Sequence, residues 1–321
     1  MKSPIVILHT DNPEPAHAIL HRQHGDLEIH CCASYEGLPN LVEKTQAEVI
    51  FSARFNGTPT FPRQALIDAS SVKWISVGGS GVDHLIPWNP EIQTITNAAG
   101  VAADMMAQYA LGGMLHFSLG LPGFQAAQAR REWVSGKVEP IDGKSVLIIG
   151  LGKTGQAVAA RCKAMDMHTI GVRAHPKATP NVDRVCGMDD LPNLWGQADF
   201  IVTCVPLLDS TRGIVGPDAF AIMKDTAVIV DVSRGGVIDE GSLIDALDQD
   251  RIKGAALDVF MAEPLPSDHK LWGLDNVIIT PHCSSVYDGW DLKSVEMFSE
   301  NLMRYRKGED LTNIVNPKRG Y

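Results

Sequence analysis

Three polar residues in the carboxyl-terminal half of the chain stand shortly after apolar runs of strand length: Arg234 in DVSRGG, Glu263 in DVFMAEPLP and His282 in IITPHCS. Taken singly, each has an ordinary alternative: a turn arginine, a surface glutamate before proline, a structural histidine. Together they form a workable set for carbonyl reduction. A histidine titrating near neutral pH can donate a proton to a ketone oxygen as hydride reaches the carbon. A neighbouring carboxylate orients the ring and stabilises the imidazolium. A guanidinium can bind a substrate carboxylate through paired hydrogen bonds and polarise the carbonyl.

Hydride needs a carrier, and residues 145–156, SVLIIGLGKTGQ, offer a place for one. The apolar run Val146 to Ile149 opens into Gly150, Gly152 and Gly155, with Ala157, Ala159 and Ala160 following at helical spacing. That order reads as strand, tight turn and helix. In such a fingerprint one glycine makes the turn, the next lets the backbone approach a pyrophosphate, and the last lets the helix pack closely on the strand. The helix N-terminus then presents N–H groups and the positive end of its dipole to the phosphates. Gly150, Leu151, Gly152, Lys153, Thr154 and Gly155 are therefore the expected phosphate cradle. A plain strand-to-helix turn is the alternative.

The next strand, His168 to Val172, ends at Arg173, 173 − 150 = 23 residues after the first glycine. A carboxylate at that place holds a ribose 2′-hydroxyl, whereas a guanidinium pairs with a 2′-phosphate. His175 and Lys177 add donors nearby. The pattern favours NADP, with NAD as the alternative if Arg173 is merely a surface residue. No metal ligand spacing is present among the six cysteines, and reduced thiols point to a cytoplasmic protein.

The elements that must position these groups follow from periodicity. Strands are expected at Ile5 to His9, Leu27 to Cys32, Val49 to Ala53 and Trp74 to Val77, separated by helices at Glu14 to His24, Leu38 to Thr45 and Pro62 to Ala69. After the glycine fingerprint, strands at Phe200 to Val205, Ala227 to Val232, Gly254 to Val259 and Val277 to Thr280 alternate with helices at Pro217 to Ile222 and Gly241 to Asp248. This alternation predicts an α/β protein with two parallel sheets covered by helices. Asp104 to Phe117 reads as a helix connecting two domains, and Trp290 to Arg306 as a helix with one buried face that returns to the first. The expected division is 1–98 with 290–321 as a substrate-binding domain and 99–289 as the dinucleotide-binding domain. Two loops at strand ends of the first domain are candidates for substrate: Arg54, Phe55 and Asn56, and the glycine-rich turn from Gly78 to Asp83. In that turn the backbone N–H groups of Gly79, Ser80 and Gly81 could form an anion nest for a carboxylate, or the turn could be a plain one. The polar segment Gln125 to Gly136, with Trp133, reads as a subunit contact or a surface helix.

The chain has 321 residues, 45% of them hydrophobic, enough for two buried cores, and a net charge of −10. That balance gives no footprint for nucleic acid or an anionic membrane. No apolar run is long enough to span a membrane, and the apolar start of the chain is too short for a signal peptide.

Five ordered motifs, SVGGSGVDHL (76–85), VLIIGLGKTG (146–155), VIVDVSRGGVIDEGSLIDAL (228–247), GAALDVFMAEPLP (254–266) and NVIITPHCS (276–284), resemble the D-isomer-specific 2-hydroxyacid dehydrogenase family. The resemblance implies that Arg234 binds substrate, Glu263 partners the histidine and His282 is the acid/base. It also implies that Gly79, Ser80 and Gly81 hold the substrate carboxylate, that Asp258 lies near the nicotinamide, and that Val205, Pro206, Val232, Ser233 and Ser284 contact the dinucleotide with Arg234 and His282. Two similar domains, the cofactor domain inserted into the other, and a homodimer are further implications. Arg173 is similar to the NADP-preferring glyoxylate/hydroxypyruvate reductases, and Glu263 argues against a formate dehydrogenase. Phosphoglycerate dehydrogenases are the weaker alternative, since the chain leaves no room for the regulatory domain that many carry, although Arg54 could meet a second substrate anion. A dinucleotide-sensing corepressor is the rival from another class. The expected substrate is a small 2-keto or 2-hydroxy acid.

Overall fold

A computed structural model describes residues 3–53 and 61–317. Arg54, Phe55 and Asn56 lie outside the described residues. In chain order the first elements are β1 (Val6–His9), α1 (Pro13–His24), β2 (Ile29–Cys32), α2 (Gly37–Thr45), β3 (Val49–Ser52), α3 (Arg63–Ile67), β4 (Trp74–Val77) and β5 (Thr94–Asn97). Next come α4 (Ala103–Ser118), α5 (Leu121–Ala129), β6 (Ser145–Ile149), α6 (Lys153–Ala164), β7 (His168–Val172), β8 (Arg184–Cys186) and β9 (Phe200–Thr203). The chain continues through α7 (Pro217–Ile222), β10 (Val228–Asp231), α8 (Glu240–Asp248), β11 (Gly254–Leu257), β12 (Val277–Ile279) and α9 (Trp290–Lys307).

Two compact units result, one of Met1–Val101 with Tyr287–Tyr321 and one of Ala102–Val286. The first holds a five-stranded sheet in the order β2-β1-β3-β4-β5, the second a seven-stranded sheet in the order β12-β11-β10-β9-β6-β7-β8. Every strand pair is parallel. Parallel strands covered on both faces must be apolar along their whole length, and the central strands VILH, VIFS and VIVD are buried at every residue. In the first unit α9 covers the sheet with α1: Tyr305 stacks on Trp74, Phe298 packs against it at a tilt, and the Trp74 indole N–H donates to Thr96 Oγ1 at 2.9 Å.

Two strands escape the sequence patterning. β5, TITN, alternates polar residues at the sheet edge and merges with what reads as a turn at Asn97; β8 has three residues. α4 is not a bare connector. It lies on the second sheet, so close that a Cβ on Gly113 would come 2.8 Å from the Cβ of Ala256 on β11. The polar segment 125–136 is helical only to Ala129, and residues 130–140 are exposed and non-helical, with Trp133 fully exposed. Among the described residues no helix is long and apolar enough to cross a membrane.

Candidate active site

The sequence-selected residues of the second unit all follow the carboxyl ends of its strands, where open α/β sheets bind ligands. β6 and β9 are neighbours although their connections run to opposite sides, which makes their junction the point where strand order reverses. The glycine loop opens there. Gly150 has φ +99° and so needs glycine; a Cβ on it would come 2.7 Å from the Cys204 carbonyl beyond β9. Around Gly152 a Cβ would meet nothing within 4 Å, which leaves the backbone open to a ligand. A Cβ on Gly155 would sit 1.9 Å from the Gly150 carbonyl, so α6 reaches β6 only because that residue is glycine. No side chain caps the N-terminus of α6 at Gly152, and that end is suited to a pyrophosphate. The three glycines thus fit a dinucleotide on turn, approach and packing.

Around this cradle the expected contacts divide by burial. Lys153 and His175 are exposed and Arg173 is half-buried, within reach of a ligand, while the Thr154 hydroxyl meets Met106 Sδ at 3.6 Å. Leu151 is buried, and a Cβ on Gly171 of β7 would come 2.6 Å from its Cδ1. Val205, Val232, Ser233 and Ser284 are buried as well, and Pro206 is half-buried.

His282 and Glu263 meet. The histidine Nδ1 lies 2.8 Å from Glu263 Oε2, and the other carboxylate oxygen accepts the Phe260 N–H at 3.0 Å. Partial burial pushes the Glu263 carboxyl up, but the bonds from His282 and Phe260 and the charges of His282 and Arg234 outweigh it and hold it below the ordinary carboxylate range. An ionised Glu263 therefore faces Nδ1 and leaves Nε2 as the ring's working nitrogen. Only tertiary structure holds the ring there, because His282 has φ +53°, an unfavourable left-handed backbone for a side-chain-bearing residue.

The support comes from Asp258, fully buried just beyond β11. One of its oxygens accepts from the Cys283 N–H at 2.8 Å and the Thr280 hydroxyl at 2.6 Å, the other from the Ser284 N–H at 2.9 Å. Tyr109 of α4 completes the brace at 2.8 Å from Thr280 Oγ1. Both oxygens of Asp258, expected beside the nicotinamide, are thus spent on the histidine loop. Arg234 is half-buried, its Nη1 donating to the Ser233 carbonyl at 2.8 Å.

In the first unit the Gly79–Gly81 loop is tied through its carbonyls. Ala98 N–H donates to Gly79 O at 2.9 Å, Asn97 Nδ2 to Ser80 O at 2.7 Å, and Ser294 Oγ of α9 to Gly78 O at 2.8 Å. Tyr287 donates its hydroxyl to Val101 O at 3.0 Å. Among the described residues no cluster of His, Cys, Asp and Glu could hold a metal ion, and all six cysteines are free.

Asp231, Thr280 and Tyr109 were not singled out by sequence reasoning. Asp231 carried a signal, a carboxylate closing the apolar run VIVD, while the other two acquire a role only by proximity.

The sequence profile described as "D-isomer specific 2-hydroxyacid dehydrogenase, NAD binding domain" matches residues 111–284. The chain belongs to that family. Its second unit is accordingly an NAD-binding domain, and the cofactor is a nicotinamide adenine dinucleotide. A family protein from Aeromonas salmonicida subsp. salmonicida is 27% identical with a TM-score of 0.88, covering 98% of this chain and 100% of that one. The family enzyme from Xanthobacter autotrophicus Py2, solved with NADPH and MES, is 26% identical with a TM-score of 0.85 and full coverage of both chains. The D-3-phosphoglycerate dehydrogenase of Methanocaldococcus jannaschii is 34% identical over 300 residues, which are 91% of this chain but 56% of that protein. The chain therefore spans little more than half the length of that relative.

Proposed function

We propose that the protein is a 2-keto acid reductase that prefers NADPH, with glyoxylate and hydroxypyruvate as leading substrates. The observation that carries this reading is the His282–Glu263 pair, 2.8 Å apart, on the same strand-end edge as the dinucleotide cradle. When bound, the reduced nicotinamide supplies a hydride to C2 of the keto acid. His282 donates the Nε2 proton to the carbonyl oxygen, giving the hydroxyl of the D-2-hydroxy acid. Glu263 keeps the ring oriented and stabilises its protonated form. Arg234 binds the substrate carboxylate and polarises the carbonyl, and the backbone N–H groups of Gly79, Ser80 and Gly81 are the first unit's candidate donors for a carboxylate. Arg173, with His175, pairs with the 2′-phosphate; a half-buried guanidinium in place of an acid supports NADPH. A cytoplasmic homodimer completes the proposal.

The M. jannaschii relative favours a second reading, an NAD-dependent phosphoglycerate dehydrogenase. The deciding experiment follows nicotinamide absorbance with NADPH and NADH in parallel, against glyoxylate, hydroxypyruvate, pyruvate and phenylpyruvate, and with 3-phosphoglycerate in the oxidative direction. Faster NADPH oxidation with a small keto acid is expected, and Arg173→Asp should shift the cofactor preference toward NADH by about 10- to 100-fold. Turnover confined to 3-phosphoglycerate with NAD would establish the second reading. NADPH binding without turnover on any of these acids would point to a dinucleotide sensor.

A further inference from the structure

One buried titratable group of the second unit has no part in the scheme above. Asp231 ends β10 and is 3% exposed. Its Oδ1 alone accepts three hydrogen bonds: from the Ser233 N–H at 2.9 Å, the Ser233 hydroxyl at 2.5 Å and the Thr203 hydroxyl at 2.7 Å. The Ser233 carbonyl in turn accepts Arg234 Nη1 at 2.8 Å. A continuous path of bonds therefore runs from the end of β9, through the Asp231 carboxylate and the Ser233 peptide, to the guanidinium.

We infer that Asp231 is a positioning residue for Arg234, fixing the Ser233 peptide on which the guanidinium rests and so setting the affinity for the substrate carboxylate. The inference depends on the proposed role of Arg234 in binding substrate. Three donors on one oxygen suit a charged acceptor, whose bonds are shorter and stronger than those of a neutral one. Asp258 beyond β11, Cys204 beyond β9 and Tyr109 from α4 each interact with its charge. Glu240 of α8 lines the same small cavity. Burial, aided by Asp258, pushes the Asp231 carboxyl up to about 6 despite the bonds from Ser233 and Thr203. The brace is thus predominantly charged above that pH and weakens as pH falls through it.

This separates it from the histidine. Protonation of His282 favours reduction and acts on kcat, whereas protonation of Asp231 loosens the carboxylate ligand and acts on KM.

The test is steady-state reduction of hydroxypyruvate by NADPH between pH 5 and 8, with NADPH affinity measured by fluorescence. Asp231→Ala should raise KM for the keto acid about tenfold at pH 7.5 while NADPH affinity stays within about twofold. Asp231→Asn keeps an acceptor oxygen in place. It should restore KM at pH 7.5 to within about threefold and abolish the rise in KM expected of the native protein below pH 6. An unchanged KM in Asp231→Ala, or an acid rise in KM that persists in Asp231→Asn, overturns the inference. Should Asp231→Ala fail to fold, Ser233→Ala removes one of the three bonds and is expected to raise KM about threefold; an unchanged value is equally decisive. Arg234→Gln is the control. If it leaves KM unaltered, the reading of Arg234 fails, whereas a large effect there with none in the Asp231 variants sinks the positioning role alone.

Discussion

Glu263 and Asp231 are carboxylates in the same unit, each bonded within one loop of a proposed active-site residue, and their surroundings push them in opposite directions. The Glu263 side chain is 37% exposed and 2.8 Å from an imidazole nitrogen, and its proton affinity is lowered. Asp231 is 3% exposed with three neutral donors, and its proton affinity is raised to about 6. The donors are comparable in number; the difference lies in desolvation and in the sign of the nearest charge. A close imidazole and a backbone donor favour the ionised form of the half-exposed acid. Neutral donors cannot fully offset burial, so the buried acid titrates close to the working range.

The largest test of this contrast removes the imidazole. His282→Ala should lower kcat for keto-acid reduction about a thousandfold, with NADPH affinity nearly unchanged. Unaltered turnover would remove both the acid/base assignment and the reason for Glu263 to stay ionised. Next in size, Glu263→Gln keeps the shape of the side chain but not its charge. It should cost about 10- to 100-fold in kcat, and KM for the keto acid should move less than in Asp231→Ala. An equal effect of the two variants on KM would mean that the two acids do the same work.

The smallest effect is on stability and has opposite signs at the two positions. For Glu263 the folded value is lowered, so its pairing contributes stability that is present above the ordinary 4.5 and is lost as pH falls through the folded value. For Asp231 the folded value is raised. Its protonated form is the better buried one, so that contribution is present below 3.8 and is lost as pH rises through about 6, on the order of 3 kcal/mol in all. Thermal melts should therefore show less stability lost between pH 4 and 7 in Asp231→Asn than in the native protein. In Glu263→Gln the acid-side loss should shrink instead. Parallel pH profiles for both variants and the native protein would erase the distinction between the two carboxylates.

Much of the architecture was legible beforehand because parallel sheets buried on both faces demand unbroken apolar runs. Those runs, at Val6–His9, Val49–Ser52 and Val228–Asp231 among others, are visible without any knowledge of neighbours. β5 and β8 were not, since a short or polar edge strand is defined by its partner rather than by its own pattern. The glycine fingerprint was equally local: the positive φ of Gly150 and the close approach of Gly155 arise within a few residues of the motif.

The residue types and order of Arg234, Glu263 and His282, and the place of Arg173 after a strand, belong to the sequence alone. Tertiary structure decided what holds them. The 2.8 Å contact of residues 19 positions apart, the left-handed turn at His282, the bonds of Asp258 to the histidine loop and the bond from Thr203 to Asp231 depend on strands that are adjacent in the sheet but distant in the chain. A hydrogen bond or a desolvation penalty depends on what lies within a few ångströms. Local sequence specifies that neighbourhood along the chain, and only the packed sheet specifies it across strands.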